Sequence, residues 1–324
     1  MQKICVNMEY LILILSLAGI VLGADFLVKG AVVVARKCRV SSFVIGAVIV
    51  GIGTSLPELV VSTVGAIGGN SEVAIGNVVG SNIFNVFAIL GLTALFFPIA
   101  VSRENMKFEI PFCIAVSVLL MLLVYNFFVV GEPRLGRWDG VALLLVFTAF
   151  MWISLRRGKN SAATVGESVE EENKSLWFAA FSILGGLAAL IVSSNFFVDE
   201  AVAIARKLGV SDAFISITLL ACGTSLPELA ASVTAAVKKD TDMALGNIIG
   251  SNIFNATMIL GTASLITPLT TGKIGLVDYG AMILAAVLPM IFGIRGKITR
   301  IEGLLMLLCY AAYTWYIVTY VMAV

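Results

Sequence analysis

The sequence predicts an all-α membrane protein of about ten transmembrane helices in two inverted five-helix repeats. Three observations carry this. Hydrophobic residues make up 60% of the 324 positions and charged residues only 13%, with a mean hydropathy of +1.04; a water-soluble domain of this length needs far more surface charge. The apolar sequence divides into stretches of about 20 residues or more, the length that crosses a bilayer. A two-part polar motif also occurs twice, offset by 170 residues throughout. The first copy reads Gly53-Thr54-Ser55-Leu56-Pro57-Glu58-Leu59, then Gly76-Asn77-Val78-Val79-Gly80-Ser81-Asn82-Ile83-Phe84-Asn85. The second reads Gly223-Thr224-Ser225-Leu226-Pro227-Glu228-Leu229, then Gly246-Asn247-Ile248-Ile249-Gly250-Ser251-Asn252-Ile253-Phe254-Asn255.

Spans are predicted at roughly 9–35, 41–67, 72–100, 108–131, 138–156, 175–205, 211–237, 242–268, 275–294 and 301–322. The polar lead Met1 to Glu9 lacks a small-residue cleavage site, so the first span reads as a helix rather than a removed signal. The linkers are short except for about 157–174, which carries Glu167, Glu170, Glu171 and Glu172 and reads as a mobile polar loop. The chain is therefore divided into a first repeat 1–157, a linker 158–174 and a second repeat 175–324. Five spans separate the two motif copies, and an odd number inverts the second relative to the first.

Linkers one, three, five, seven and nine share one side and carry fourteen Lys and Arg; the other side carries six. The positive-inside rule then places the central loop in the cytoplasm and both termini outside, in a multi-pass protein of the cell membrane. The Asn173-Lys174-Ser175 sequon faces the wrong compartment for glycosylation in this orientation. A net charge of +1 gives no reason to expect a nucleic-acid partner. The five scattered cysteines (Cys5, Cys38, Cys113, Cys222, Cys309) read as small packing residues. The absence of His removes the commonest proton relay and zinc ligand.

A carboxylate inside a span is costly and marks function. Proline in a helix donates no hydrogen bond and clashes with the carbonyl four residues back, Gly53 for Pro57 and Gly223 for Pro227. Freed carbonyls in hydrocarbon need another partner, and a cation is one. Thr54, Ser55 and Glu58 add oxygens, with Thr54 and Glu58 four apart on one helical face; Thr224, Ser225 and Glu228 repeat them. The next helix offers Asn77, Ser81 and Asn85 as a polar stripe, repeated as Asn247, Ser251 and Asn255. Gly76, Gly80, Gly246 and Gly250 are expected to let helices approach closely. An oxygen-only set suits hard cations, with Ca²⁺ and Na⁺ ahead of Mg²⁺, which dehydrates reluctantly. Two carboxylates neutralise one Ca²⁺ or hold two or three Na⁺; empty, they repel one another out of water. Asp25 and Lys29 are expected to form a local i, i+4 pair instead.

These motifs resemble the cation/Ca²⁺ exchanger superfamily, and within it the prokaryotic Na⁺/Ca²⁺ exchangers, whose paired alpha repeats match the two halves. The resemblance implies four central cation positions. Glu58 and Glu228 would hold Ca²⁺ with the backbone oxygens of Thr54 and Thr224. Ser55, Ser81 and the Gly51 carbonyl would shape a Na⁺ position toward the cytoplasm. Ser225, Ser251, the Thr224 hydroxyl and the Ala221 carbonyl would shape one toward the outside, and Asn85 and Asn255 would flank the centre. It also implies alternating access by sliding of the first and sixth helices across a static core. Family members of the archaeal type carry Asp where this chain has Asn255, which argues against K⁺ co-transport and leaves two site carboxylates.

The function implied is a Na⁺/Ca²⁺ antiporter working as a monomer in the bilayer, extruding Ca²⁺ electrogenically. No cofactor is expected beyond the transported ions. The alternative is an H⁺/Ca²⁺ antiporter, since Glu can bind a proton; its family branch has a different motif, Gly-Asn-Ala-Ala-Glu. A channel would need a pore-lining ring in an oligomer, whereas both motifs lie in one chain. An enzyme would need a nucleophile–base pair that the sequence lacks.

Overall fold

A computed structural model describes residues 2–125, 133–160, 174–208 and 221–321. Most of the 158–174 linker, including Asn173 of the sequon, the end of the fourth predicted span and the start of the seventh lie outside the described residues. The first half runs α1 (Gln2–Cys38), α2 (Ser42–Thr54), α3 (Leu56–Ile67), α4 (Ser71–Phe96), α5 (Asn105–Tyr125) and α6 (Arg137–Asn160). The second runs α7 (Leu176–Lys207), a turn α8 (Ala221–Gly223), α9 (Leu226–Val237), α10 (Thr241–Ile266), α11 (Leu276–Gly293) and α12 (Arg300–Thr319). Among the described residues, eight helices are long and apolar enough to cross a membrane, and the bent pair α2–α3 makes a ninth span. The protein is therefore a multi-span integral membrane protein.

The second predicted span is not one helix. Its two parts bend by 47° at Ser55, whose ψ of 9° leaves the helical range. Pro57 is the cause: without an N–H it cannot bond back to Gly53, and its ring excludes that carbonyl, so the helix restarts at Leu56. Thr54 therefore ends α2 while Glu58 lies in the first turn of α3, and the expected single face through both is broken. Ser225, with φ −92° and ψ 8°, marks the matching break before α9. Each break places a Glu where the positive end of a helix dipole favours it.

Helices α4 and α10 form the centre. Burial covers 83% of the apolar stretch of each, against 17–39% for the other long spans. Gly246 and Gly250 on α10 bring α2 into backbone contact: a Cβ at Gly250 would lie 2.4 Å from Ala47 Cα, and one at Gly246 would lie 2.2 Å from the Phe43 carbonyl. The expected counterpart in α4 differs. Gly76 meets only Ile274, at 3.4 Å, and Gly80 has no described atom within 4 Å, so close approach there is not made to described residues. Outside this centre lies the long pair α1 and α7. A Cβ at Gly23 would come within 2.8 Å of Leu190 N, and one at Gly30 within 2.8 Å of the Ala179 carbonyl. The partner number falls as the first rises, so the helices are antiparallel and touch through glycines along their length. Leu187 of α7 packs over Gly53 and Val198 over Gly223, which seats this pair on both breaks.

Contacts between linkers test the inversion. Two short antiparallel ladders join the halves reciprocally: β1 (Ile99–Ala100) with β4 (Lys297–Ile298), and β2 (Arg134–Leu135) with β3 (Leu269–Thr270). Linker three thus meets nine, and four meets eight. Ser41 N bonds the Gly158 carbonyl, Ala100 N the Thr241 hydroxyl, and Lys273 N the Glu72 carboxylate, so odd meets odd and even meets even. This is the sorting that two inverted halves require. Asp25 does pair with Lys29 at 2.6 Å, but also with Lys238 beyond α9 at 2.7 Å, so it ties α1 to the second repeat. Of the described cysteines, Cys113 is buried and Cys38 is exposed; the latter departs from a packing role because it ends α1.

Candidate functional site

The two breaks meet at the middle of the molecule, and each half completes the other. The Ser55 hydroxyl donates to Glu228 Oε1 at 2.7 Å, and Ser225 donates to Glu58 Oε1 at 2.9 Å. All four residues are fully buried. Asn77 donates to the Glu58 carbonyl and to the Ser62 hydroxyl, and Asn247 does the same to the Glu228 carbonyl and Ser232. These amides hold the restarted helices against α4 and α10, fixing where each carboxylate points. The Thr54 hydroxyl bonds the Val50 carbonyl at 3.0 Å and Asn247 Oδ1 at 3.3 Å.

A second set of bonds between the halves forms an amide ring with two-fold character. Asn82 donates to the Asn252 carbonyl and Asn252 to the Asn82 carbonyl, at 3.0 and 3.1 Å. Asn85 donates to Asn252 Oδ1, and Asn255 to Asn82 Oδ1. Every amide donates to the other half, so α4 and α10 are locked at the π-helical turns that begin at Asn85 and Asn255.

The residues singled out from sequence divide as follows. Glu58, Glu228, Ser55, Ser225, Asn85 and Asn255 come together as above. The Ser251 hydroxyl bonds the Gly51 carbonyl at 3.2 Å, so that carbonyl is engaged by the second half, while Ser81 is buried without a hydrogen-bond partner among the described residues. Serines and carbonyls are thus exchanged between halves rather than grouped within each. Ala221 opens α8, one turn ahead of Thr224. Sequence reasoning passed over Ser62, Ser232, Asn82 and Asn252. The signal was present, because both pairs repeat at the same 170-residue offset as the motif. Nothing in a linear sequence marks an amide as bonding across halves.

Six of the eleven buried side-chain oxygens that lack a partner among the described residues belong to predicted site positions. They are Glu58 Oε2, Glu228 Oε2, Ser81 Oγ, Asn85 Oδ1, Thr224 Oγ1 and Asn255 Oδ1. Each unmet buried group costs about 1–3 kcal/mol. Such a cluster of oxygens, two of them carboxylate, without nitrogen or sulfur ligands, fits a hard cation.

A multi-span membrane fold of two inverted halves, with a buried oxygen-lined centre assembled from both, defines a carrier of small cations. The chain belongs to the sodium/calcium exchanger protein family, whose profile matches residues 8–156 and 178–319. It is accordingly a cation/Ca²⁺ antiporter by family, and the family is one of transporters rather than enzymes. Among its relatives is a putative antiporter, CaxA, of Alkalimonas amylolytica, 36% identical over 93% of this chain and 97% of that protein. Another is the sodium/calcium exchanger MaX1 of Methanosarcina acetivorans, 35% identical over 95% and 98%. Among solved structures, the sodium-calcium exchanger NCX_Mj soaked with 10 mM Na⁺ and zero Ca²⁺ superposes with a TM-score of 0.82. It is 32% identical, over 97% of this chain and 99% of that one.

Proposed function

We propose that the protein exchanges Na⁺ for Ca²⁺ and extrudes Ca²⁺ electrogenically. The observation that carries the reading is the reciprocal pairing of Glu58 and Glu228 with Ser225 and Ser55, which leaves one oxygen of each carboxylate without a donor among the described residues. In this reading the two carboxylates hold Ca²⁺ with the Thr54 and Thr224 backbone oxygens. Na⁺ takes positions framed by Ser55, Ser81 and Gly51 and by Ser225, Ser251, Thr224 and Ala221, with Asn85 and Asn255 at the centre. Two relatives named as sodium/calcium exchangers support Na⁺ as the counter-ion. The α1–α7 pair, joined through glycines and resting on both breaks, is the element that slides to open one side and then the other. We place the central loop in the cytoplasm and both termini outside, with 1–157 and 175–324 as the repeats and a single chain as the working unit. A second reading, H⁺ in place of Na⁺, rests on the same unpaired carboxylate oxygens, which a proton would also occupy.

The test is ⁴⁵Ca²⁺ uptake into proteoliposomes loaded with Na⁺ and diluted into Na⁺-free buffer, beside a set given only a pH gradient. Uptake is expected only with internal Na⁺, and an inside-negative potential should slow it, because net positive charge leaves the vesicle. With three Na⁺ per Ca²⁺, one net charge moves per cycle, worth about 2.3 kcal/mol per 100 mV. Uptake driven by the pH gradient alone establishes the second reading; uptake indifferent to voltage removes the stoichiometry.

Asn255→Asp adds a third carboxylate at the centre and deletes the amide that donates to Asn82. Two facing oxygens replace a hydrogen bond, at a cost of about 1–3 kcal/mol. The expected result is a lower Tm, with Ca²⁺ transport retained and its Na⁺ dependence shifted. Unchanged Tm and unchanged Na⁺ dependence together would remove Asn255 from the site.

A further inference from the structure

We propose that a basic cleft at one end of the bundle binds the phosphate headgroup of an anionic phospholipid. The cleft encloses about 500 Å³ between the start of α5 and the turn that follows α11. It is lined by Val101, Arg103, Met106, Lys107 and the segment Gly293–Gly296. Three of the lining side chains are cationic, Arg103, Lys107 and Arg295, and none is acidic. Arg103 and Lys107 make no ion pair with any described residue. Arg295 gives one guanidinium arm to Glu302, which leaves other N–H donors of its fork for a ligand. Glu104, the nearest acid in sequence, is not among the residues that line the cleft.

The walls are tied to one another. Gly296, at φ +78°, turns the chain back, and its carbonyl accepts from Val101 N at 2.9 Å beside the β1–β4 ladder. A Cβ at Gly293 would sit 3.0 Å from both Met106 Sδ and Val101 Cγ1, so these two side chains close the inner end. Ile294 at the mouth is 73% exposed. A free anion gains nothing from an apolar lip, whereas an acyl chain does. The cleft also lies where two spans end, at Asn105 and Gly293, which is the depth of headgroups. Basic pockets between helix ends are the sites that hold anionic headgroups. The side is that of the basic linkers, where the leaflet's negative charge and the protein's positive charge coincide.

The experiment is native mass spectrometry of the full-length protein released from nanodiscs of phosphatidylcholine with phosphatidylglycerol. The wild type is expected to retain phosphatidylglycerol over phosphatidylcholine, and R103Q/K107Q to lose about tenfold or more of that preference. R295Q is measured separately because it also strips Glu302 of its partner. R103Q/K107Q leaves that pair intact, so its Tm is expected to match wild type, and none of the three residues lies at the central site. Retention unchanged in R103Q/K107Q overturns the proposal. Displacement of the lipid by millimolar inorganic phosphate, with direct phosphate binding of equal strength, overturns the lipid assignment in favour of free phosphate. Resistance to phosphate supports the lipid.

Discussion

Glu228→Gln is expected to abolish Ca²⁺ uptake while leaving a folded protein. The substitution keeps the side chain's size, and a Gln carbonyl oxygen still accepts the Ser55 hydroxyl that now bonds Glu228 at 2.7 Å. What it removes is charge. Among the described residues two carboxylates occupy the centre, and both are fully buried, so solvent does not supply the missing charge. At an effective dielectric of about 20, two unit charges about 4 Å apart interact by about 4 kcal/mol, and a divalent ion doubles that. Each 1.4 kcal/mol is tenfold in affinity, so a fraction of this loss takes uptake below detection. Glu58→Gln should match it, since Ser225 holds Glu58 by the same geometry. Glu9→Gln is the control: Glu9 pairs with Lys207 near the ends of α1 and α7, and its variant should keep uptake within about twofold. Near-normal exchange in Glu228→Gln would move the site elsewhere.

The second large effect is expected on folding. Gly250→Leu puts a Cβ where Ala47 Cα now lies 2.4 Å away, and even Ala at this position overlaps backbone. Backbone cannot swing aside as a side chain can, so α10 and α2 must separate. Separation also opens the Ser251–Gly51 bond of 3.2 Å and the Thr54–Asn247 bond of 3.3 Å, both between the halves. Overpacking alone costs about 1–3 kcal/mol, and the lost polar contacts add to it. A fall in Tm on the order of 5–10 °C, with loss of monodisperse protein after extraction, is the expected measurement. Gly185→Ala and Gly280→Ala, which meet no described atom within 4 Å, should be neutral or slightly stabilising. Equal Tm values for all three would mean that close approach of α2 and α10 does not hold the centre together.

Both predictions rest on residues visible in the sequence, but for reasons visible to different degrees. Composition and the 170-residue offset were enough for the membrane class and the inverted halves, because hydropathy and repetition are properties of a linear chain, while the family came from the resemblance of the motifs. The two glutamates stood out for the same reason: a carboxylate within an apolar span has no bland explanation. Pro57 announced a disturbed helix. That the disturbance is a full break at Ser55, which sends Thr54 and Glu58 to different helices, depended on how the freed backbone found other partners.

The rest was decided by tertiary structure. Spacing along one helix groups Ser55 with its own half, yet its hydroxyl reaches Glu228 of the other, and Gly51 is bonded by Ser251. Asn77 and Asn247 read as members of a polar stripe, and their amides turn out to anchor the backbone of the two glutamates. Gly80 and Gly250 are equivalent by repeat, but only Gly250 is pressed against a described neighbour. Periodicity states which residues share a face of one helix; it carries no information about which face of another helix arrives opposite. The sequence by itself therefore determined the class, the repeat and the charged positions. The crossing of hydroxyls and amides between halves, which turns two motifs into one site, was set only when the halves packed together.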